Sequence, residues 1–117
     1  MKKSTLLFPT LLIVIVSFLY ACGSSKPKGS MQAARAALEK KEYSVARENF
    51  QSVYSKSKNK DEKLEAAFQA AECYYKANDM KNAEGWYKRV LNSSPQNADA
   101  QLKLAETIKH KHDLRMQ

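Results

Sequence analysis

The chain has 117 residues, which leaves room for one small domain. Its 20 Lys and Arg residues outnumber its 12 Asp and Glu residues and give a net charge of +8. Only three glycines occur, at Gly23, Gly29 and Gly85, and their wide spacing excludes a Gly-rich phosphate-binding loop.

The segment from Met1 to Cys22 has the pattern of a secretory signal peptide. Lys2 and Lys3 form a basic start, residues 6–19 are almost wholly apolar, and Ala21 precedes Cys22. With a cysteine directly after the small residue, this stretch resembles the signal of a bacterial lipoprotein. The resemblance implies cleavage between Ala21 and Cys22. It also implies a diacylglycerol group on the sulfur of Cys22, usually with a third acyl chain on the amine.

The alternative to a cleaved signal is an uncleaved membrane anchor. Residues 5–21 form only 17 positions and include Pro9, whereas a spanning helix needs about 20 apolar residues. Removal of 21 of the 117 residues leaves a mature chain of 96, and the loss of Lys2 and Lys3 lowers the net charge from +8 to +6. A basic surface can indicate nucleic-acid binding, but an exported lipoprotein meets no nucleic acid, so we expect none as a partner.

Residues 22–30 are predicted to be the lipidated cysteine and a flexible linker. The stretch 23–30 contains Gly, Ser, Pro and Lys but no apolar residue, so it has nothing to bury in a core. Basic residues recur here and around residue 60, where they indicate either a solvated loop or attraction to an anionic membrane face. These residues are Lys26, Lys28, Lys56, Lys58, Lys60 and Lys63.

Residues 31–117 are predicted to form one all-α domain. Apolar residues recur three and four positions apart, and short polar clusters interrupt the pattern. Asp61 can cap or acidify the start of the third helix, Asn97 can cap the fifth, and Asn78-Asp79 can form a tight turn. We expect helices at 31–41, 43–55, 62–77, 80–93 and 98–111.

An internal repeat appears when these helices are superposed in sequence. The middle copy resembles the signature of the tetratricopeptide repeat, and its matching residues are Ala67, Ala70, Ala71, Tyr74, Ala83, Tyr87 and Pro95. A half copy follows one repeat length later, and an earlier copy lies upstream at a slightly longer spacing; they contain Leu104, Ala105 and Ile108, and Ala33, Ala34, Ala37, Ala46 and Phe50. The resemblance implies a helical-hairpin solenoid of about two and a half repeats. The alternative is an unrelated helical bundle with an Ala-rich core.

The repeat also predicts how the last helix is used. Small residues at Ala34, Ala71 and Ala105 are expected to let the two helices of a hairpin approach closely. Leu104, Ala105 and Ile108 should therefore pack on the fourth helix. A polar outer face would then make the fifth helix a cap, with Gln101, Lys103, Glu106, Thr107 and Lys109 exposed.

The sequence contains no pattern that indicates catalysis or metal binding. His110 and His112 lie two apart and so on different sides of a helix, where they cannot bind one ion together. Cys73 has no disulfide partner once Cys22 is acylated, and it is predicted to be a small hydrophobic residue of the core. We expect a non-enzymatic protein with no cofactor beyond the lipid on Cys22 and no small-molecule substrate.

In tetratricopeptide solenoids the leading helix of each hairpin lines a concave groove that binds proteins or peptides. The resemblance therefore places a partner-binding groove at Arg35, Leu38, Glu39, Glu65, Phe68, Glu72, Tyr75, Leu102, Glu106 and Lys109. Four of these are expected to form an apolar strip inside a rim of mixed charge, namely Leu38, Phe68, Tyr75 and Leu102. Alternatively, Phe68 and Leu102 only bury against adjacent helices.

The order of signal, linker and repeats resembles a narrower group. The stretches 68–79 and 83–89 are similar to the amino-terminal repeats of outer-membrane lipoproteins that carry an OmpA-like domain, some of which serve type IX secretion. This predicts a lipid-anchored adaptor on the periplasmic face of the outer membrane, which recruits protein partners to an assembly or secretion complex. A chaperone-like holder of exported chains and a purely structural envelope lipoprotein are the alternatives.

Overall fold

The computed structural model describes residues 29–117, and this part of the chain is all α-helical. Each helix packs against the next one along the chain, so that antiparallel hairpins follow one another. The all-α prediction is confirmed. The helices are α1 (Met31–Glu39), α2 (Tyr43–Lys56), α3 (Lys60–Lys76), α4 (Met80–Ser93) and α5 (Ala98–Arg115).

Polar side chains fix the starts of four helices. Ser30, Asn59, Asp79 and Asn97 each accept a hydrogen bond from a backbone N–H of the first turn. The cap at Asn97 was predicted. Asp61 does not cap α3, because Asn59 does so two residues earlier and the helix therefore begins at Lys60. Asp61 instead lies in the first turn, where its charge favours the helix dipole.

The last two residues of the predicted linker contact the helical domain. Ser30 caps α1, and the backbone N–H of Gly29 donates to Oδ1 of Asn49 on α2 at 2.6 Å. Gly29 has a φ of +82°, which an L side chain rarely adopts. The lipidation and cleavage predictions at Ala21 and Cys22 lie outside the described residues.

The first hydrophobic core joins α1 and α2 to the side of α3 that faces them. Alanines allow the helix backbones to approach closely, and the phenyl ring of Phe50 is fully buried between them. Burial of such a ring contributes about 1.5–3 kcal/mol relative to an exposed one. The buried members of this core are Ala34, Ala37, Ala46, Phe50, Val53, Ala66, Ala70 and Cys73.

Two further clusters join α3, α4 and α5. Ala71 and Ala83 are fully buried with Tyr87, and Leu104 packs against them from α5 as predicted. Tyr54 and Trp86 connect the successive hairpins through an edge-to-face contact with ring centroids 5.2 Å apart. The small residues thus set the helix spacing and the aromatic rings fill the gaps.

The prediction for α5 is wrong at two of its three apolar positions. Ala105 and Ile108 are exposed, whereas Ala100 and Thr107 are buried. The reason is that Ala105 belongs to the face that a second helix of its own hairpin would cover, and no such helix follows within the described residues. Leu104 belongs to the opposite face, which packs on the preceding hairpin.

The prediction of an exposed polar face on α5 is also wrong in part. Thr107 is fully buried, and its hydroxyl donates to the carbonyl of Lys103 at 2.7 Å, which satisfies it. Lys103 and Glu106 are half-buried and pair with each other, with Nζ and Oε2 at 3.3 Å. α5 also extends four residues beyond its predicted end, to Arg115.

Cys73 is fully buried in the first core, as predicted for a small hydrophobic residue. Burial raises the pKa of its thiol from 9.0 to about 11, so the reactive thiolate is suppressed at neutral pH. Within residues 29–117, the helices are too short or too polar to span a bilayer.

Candidate protein-binding groove

The leading helices α1, α3 and α5 lie side by side and carry all ten residues that the sequence assigned to the groove. A salt bridge crosses from α1 to α3, where Nη2 of Arg35 lies 2.5 Å from Oε1 of Glu65. Both side chains are about half exposed, at 58% and 45%, so the bridge contributes little to stability. It joins side chains of the two leading helices across the surface.

Phe68 and Glu72, which were predicted to line the groove, both contact Tyr87 within the fold. The ring of Phe68 packs edge-to-face on Tyr87 with centroids 5.7 Å apart. The carboxylate of Glu72 accepts a hydrogen bond from the Tyr87 hydroxyl. Burial and this neighbouring carboxylate both raise the pKa of Tyr87, because each disfavours a phenolate. Glu72 therefore anchors α4 to α3 at the edge of the groove.

Tyr75 occupies the seam between α3 and α5. Nζ of Lys103 lies 5.5 Å from its ring centroid, and the imidazole of His110 lies 6.2 Å away on the same helix as Lys103. The carboxylates of Glu72 and Glu106 raise the pKa of Lys103. This end of the groove therefore holds a positively charged lysine against an aromatic face at neutral pH.

A shallow cleft of about 240 Å³ opens where α3 and α5 begin. Its walls contain three carboxylates and the apolar side chains of Leu64 and Phe68; the complete lining is Asp61, Leu64, Glu65, Phe68, Asn97 and Asp99. Sequence reasoning assigned only Glu65 and Phe68 to a binding surface. The missed signal is the shared Asn-x-Asp start of both helices, since parallel helices place these two acidic starts together.

The predicted apolar strip is not continuous. Leu38 packs against the first core and is half-buried, as are Phe68 and Tyr75. Leu102 alone is widely open, at 59% exposure. The exposed Glu39 on α1 and Lys109 on α5 provide charge on the two outer helices of the surface. The groove thus offers separate apolar contacts among charges rather than one continuous apolar channel.

This arrangement suits the binding of a protein segment. Half-exposed aromatic rings supply contact area, and fixed carboxylates and lysines supply direction. Within residues 29–117, no group of three His, Cys, Asp or Glu side chains is placed to hold a metal ion.

A model of the tetratricopeptide repeat matches residues 37–107, which is more than half of the chain. The chain belongs to the tetratricopeptide repeat family. The hairpins, their buried alanines and their aromatic fillers at a regular spacing agree with this membership. Tetratricopeptide repeats are typically non-catalytic modules that bind proteins, and membership in the family indicates that this domain is a protein–protein interaction module. Searches among curated proteins and among solved structures found no match.

Proposed function

We propose that this tetratricopeptide protein is a lipid-anchored periplasmic adaptor, which holds protein partners at the outer membrane for an assembly or secretion complex. The groove carries the proposal, because it combines a cleft with three carboxylates at one end and Lys103 against Tyr75 at the other. The three carboxylates of the cleft favour a bound segment whose basic residues lie at that end, whereas Lys103 is already paired with Glu106.

The sequence of the amino-terminal segment supports the anchor. The basic start, the apolar run and the Ala21-Cys22 pair match a lipoprotein signal. Two or more acyl chains on Cys22 would hold the protein stably, whereas one chain gives reversible binding. The short polar linker would keep the groove near the membrane surface.

The anchor is tested by fractionating cells that express the full chain or its Cys22→Ala variant. We expect Cys22→Ala to abolish lipid labelling and to retain the uncleaved signal. After the signal is replaced by one without a lipidation site, the protein should appear in the soluble fraction. A Cys22→Ala chain with unchanged size and unchanged membrane retention relative to the wild type would indicate the uncleaved anchor instead.

The groove is tested separately, by photocrosslinking in intact envelopes. A photoreactive residue at Tyr75 should capture one stoichiometric partner. The matched control is the same residue at Gly85 on the exposed side of α4, where an added Cβ meets nothing within 4 Å. Many exported clients at Tyr75 would indicate a holder of unfolded chains. Equal capture from Gly85 and Tyr75 would indicate a structural protein that is packed on all sides.

A further inference from the structure

Within residues 29–117, no helix packs on one side of α5, the last helix of the stack. Leu102, Ala105 and Ile108 recur at every third position along this side, which we call the end face. Leu102 is 59% exposed, Ile108 is 47% exposed, and Ala105 is exposed between them. These apolar side chains form a short row on a helix whose other faces are mostly polar.

The corresponding row in the preceding hairpin is covered. Phe68, Ala71 and Tyr74 on α3 hold the same places in the repeat as the three residues of the end face. There, Ala71 is fully buried in one cluster with Ala83 and Tyr87 of α4, and Phe68 and Tyr74 pack against that cluster. The end face is therefore equivalent in the repeat to a surface of α3 that α4 covers.

The helices that perform this covering share a pattern. α2 and α4 each present an alanine, an aromatic residue four positions later and a valine three positions after that. All six side chains are buried in the fold, so a second folded copy has none of them free to offer. They are Ala46, Phe50 and Val53 on α2, and Ala83, Tyr87 and Val90 on α4.

The residue that follows the alanine on each leading helix indicates whether the covering ring is a tyrosine or a phenylalanine. Glu72 on α3 accepts a hydrogen bond from the hydroxyl of Tyr87. In the first hairpin the position of Glu72 is taken by Arg35, and the covering ring is Phe50, which has no hydroxyl. On α5 the same position carries Glu106, which can accept a hydrogen bond as Glu72 does.

We propose that the end face binds an amphipathic helix of another protein, which presents an alanine, a tyrosine four residues later and an apolar residue three residues after that. The alanine lies against Ala105, the tyrosine ring fills the space beside Leu102 and Ile108, and its hydroxyl donates to Glu106. This site shares Leu102 and Glu106 with the predicted groove, extends to Ala105 and Ile108 outside it, and does not depend on the lipid anchor.

The test uses a peptide with this chain's own residues 78–96, which contain the pattern and its Asp79 cap. The peptide is titrated into the full-length chain in detergent micelles, and backbone amide shifts are followed. We expect the shifts to centre on Leu102, Ala105 and Ile108. A Tyr87→Phe peptide should bind about ten-fold more weakly through loss of a hydrogen bond to a carboxylate, and a Tyr87→Ala peptide more weakly still.

The matched protein variants are Ala105→Glu and Leu114→Asp, both at exposed positions of α5. Circular dichroism confirms that each variant is folded. Ala105→Glu should abolish binding, whereas Leu114→Asp should leave it unchanged because Leu114 lies outside the end face. Equal loss in both variants, or shifts centred on Phe68 and Ala71 through displacement of α4, would overturn the proposal. So would concentration-dependent self-association of the chain through the same residues.

If the free peptide shows no binding, a tethered copy decides the question. Residues 112–117 are replaced by a copy of residues 78–96, which restores the spacing of the preceding hairpin. We expect Tm to rise by about 5 °C, and a matched copy that carries Tyr87→Asp should give no rise. An unchanged Tm with the unaltered copy would overturn the proposal.

Discussion

Lys41 and Asn78 hold equivalent places in successive hairpins and adopt the same left-handed backbone conformation, with φ values of 60° and 62°. Each residue ends the leading helix of its hairpin. The N–H of the following residue donates five positions back, from Glu42 to Ala37 and from Asp79 to Tyr74, both at 2.9 Å. The N–H groups of Lys41 and Asn78 also donate three positions back, to the carbonyls of Leu38 and Tyr75 at 2.9 and 3.0 Å, and the two bonds together close the carboxyl end of the helix. The two hairpins therefore contain the same turn, although the residue in the left-handed conformation differs between them.

Replacement of Lys41 by glycine should stabilise the protein. A lysine in this conformation is strained by about 1–2 kcal/mol, and relief of that strain exceeds the entropic cost of the glycine, which is about 0.5–1 kcal/mol. We expect Lys41→Gly to raise Tm by about 3 °C in a thermal scan of the full-length chain. Asn78→Gly is the matched control and should change Tm little, because asparagine tolerates the left-handed region. A fall in Tm for Lys41→Gly would contradict this account of the turn.

Ala71 and Ala105 should respond differently to the same enlargement. Ala71 is fully buried against α4, whereas Ala105 occupies the equivalent position of α5 and is exposed. We expect Ala71→Leu to cost about 1–3 kcal/mol through overpacking. Ala105→Leu should stay within about 0.5 kcal/mol of the wild type. Urea denaturation measures both, and a large loss for Ala105→Leu would show that its face is covered.

The buried hydroxyl of Tyr87 predicts loss of stability in alkali. The pKa of Tyr87 is raised above its ordinary value of 10.0, so its neutral form contributes full stability below pH 10. That contribution declines as the pH rises above 10, because only the unfolded chain ionises readily there. We expect Tyr87→Phe to be less stable by about 1.5–3 kcal/mol at pH 7 through loss of the hydrogen bond to Glu72. It should also lose less stability than the wild type between pH 10 and pH 11.5, which an unfolding series across this range measures.

The ion pairs of Glu84 predict a loss of stability at acid pH. Its carboxylate accepts from Nζ of both Lys88 and Lys111 at 2.6 Å and so joins α4 to α5. These hydrogen bonds, first from Lys111 and then from Lys88, lower the pKa of Glu84 from 4.5 to about 2. The stabilisation is therefore complete above pH 4.5 and is lost as the pH falls toward 2. In unfolding experiments between pH 6 and pH 2, Glu84→Gln should be less stable than the wild type at pH 6, and the two should converge near pH 2. A constant difference between them would contradict this assignment.

The positions of the helices could be predicted from sequence because their signals are local. Apolar spacing and the polar residues between helices placed all five, and α4 matched its predicted bounds. The start of α3 was missed because Asn59 and Asp61 are both good caps, and only the backbone path decides between them. The left-handed turn at Asn78 carried a sequence signal, whereas the same turn at Lys41 did not.

The groove was only partly predictable. The sequence named residues on three leading helices, and those helices do lie together. It did not reveal that Glu72 is engaged by Tyr87 and Glu65 by Arg35, because such pairs join residues 15 and 30 positions apart. It also missed the acidic cleft, which exists only because α3 and α5 begin side by side.

The sequence by itself determined the helical class and the repeat, since both follow from the spacing of small and apolar residues along one chain. Only the tertiary structure decided which face of each helix is buried. Ala71 and Ala105 hold the same place in the repeat, but burial depends on whether a neighbouring helix is present. A residue's own chemistry makes it suitable for a core, and the surface opposite it decides whether it lies in one.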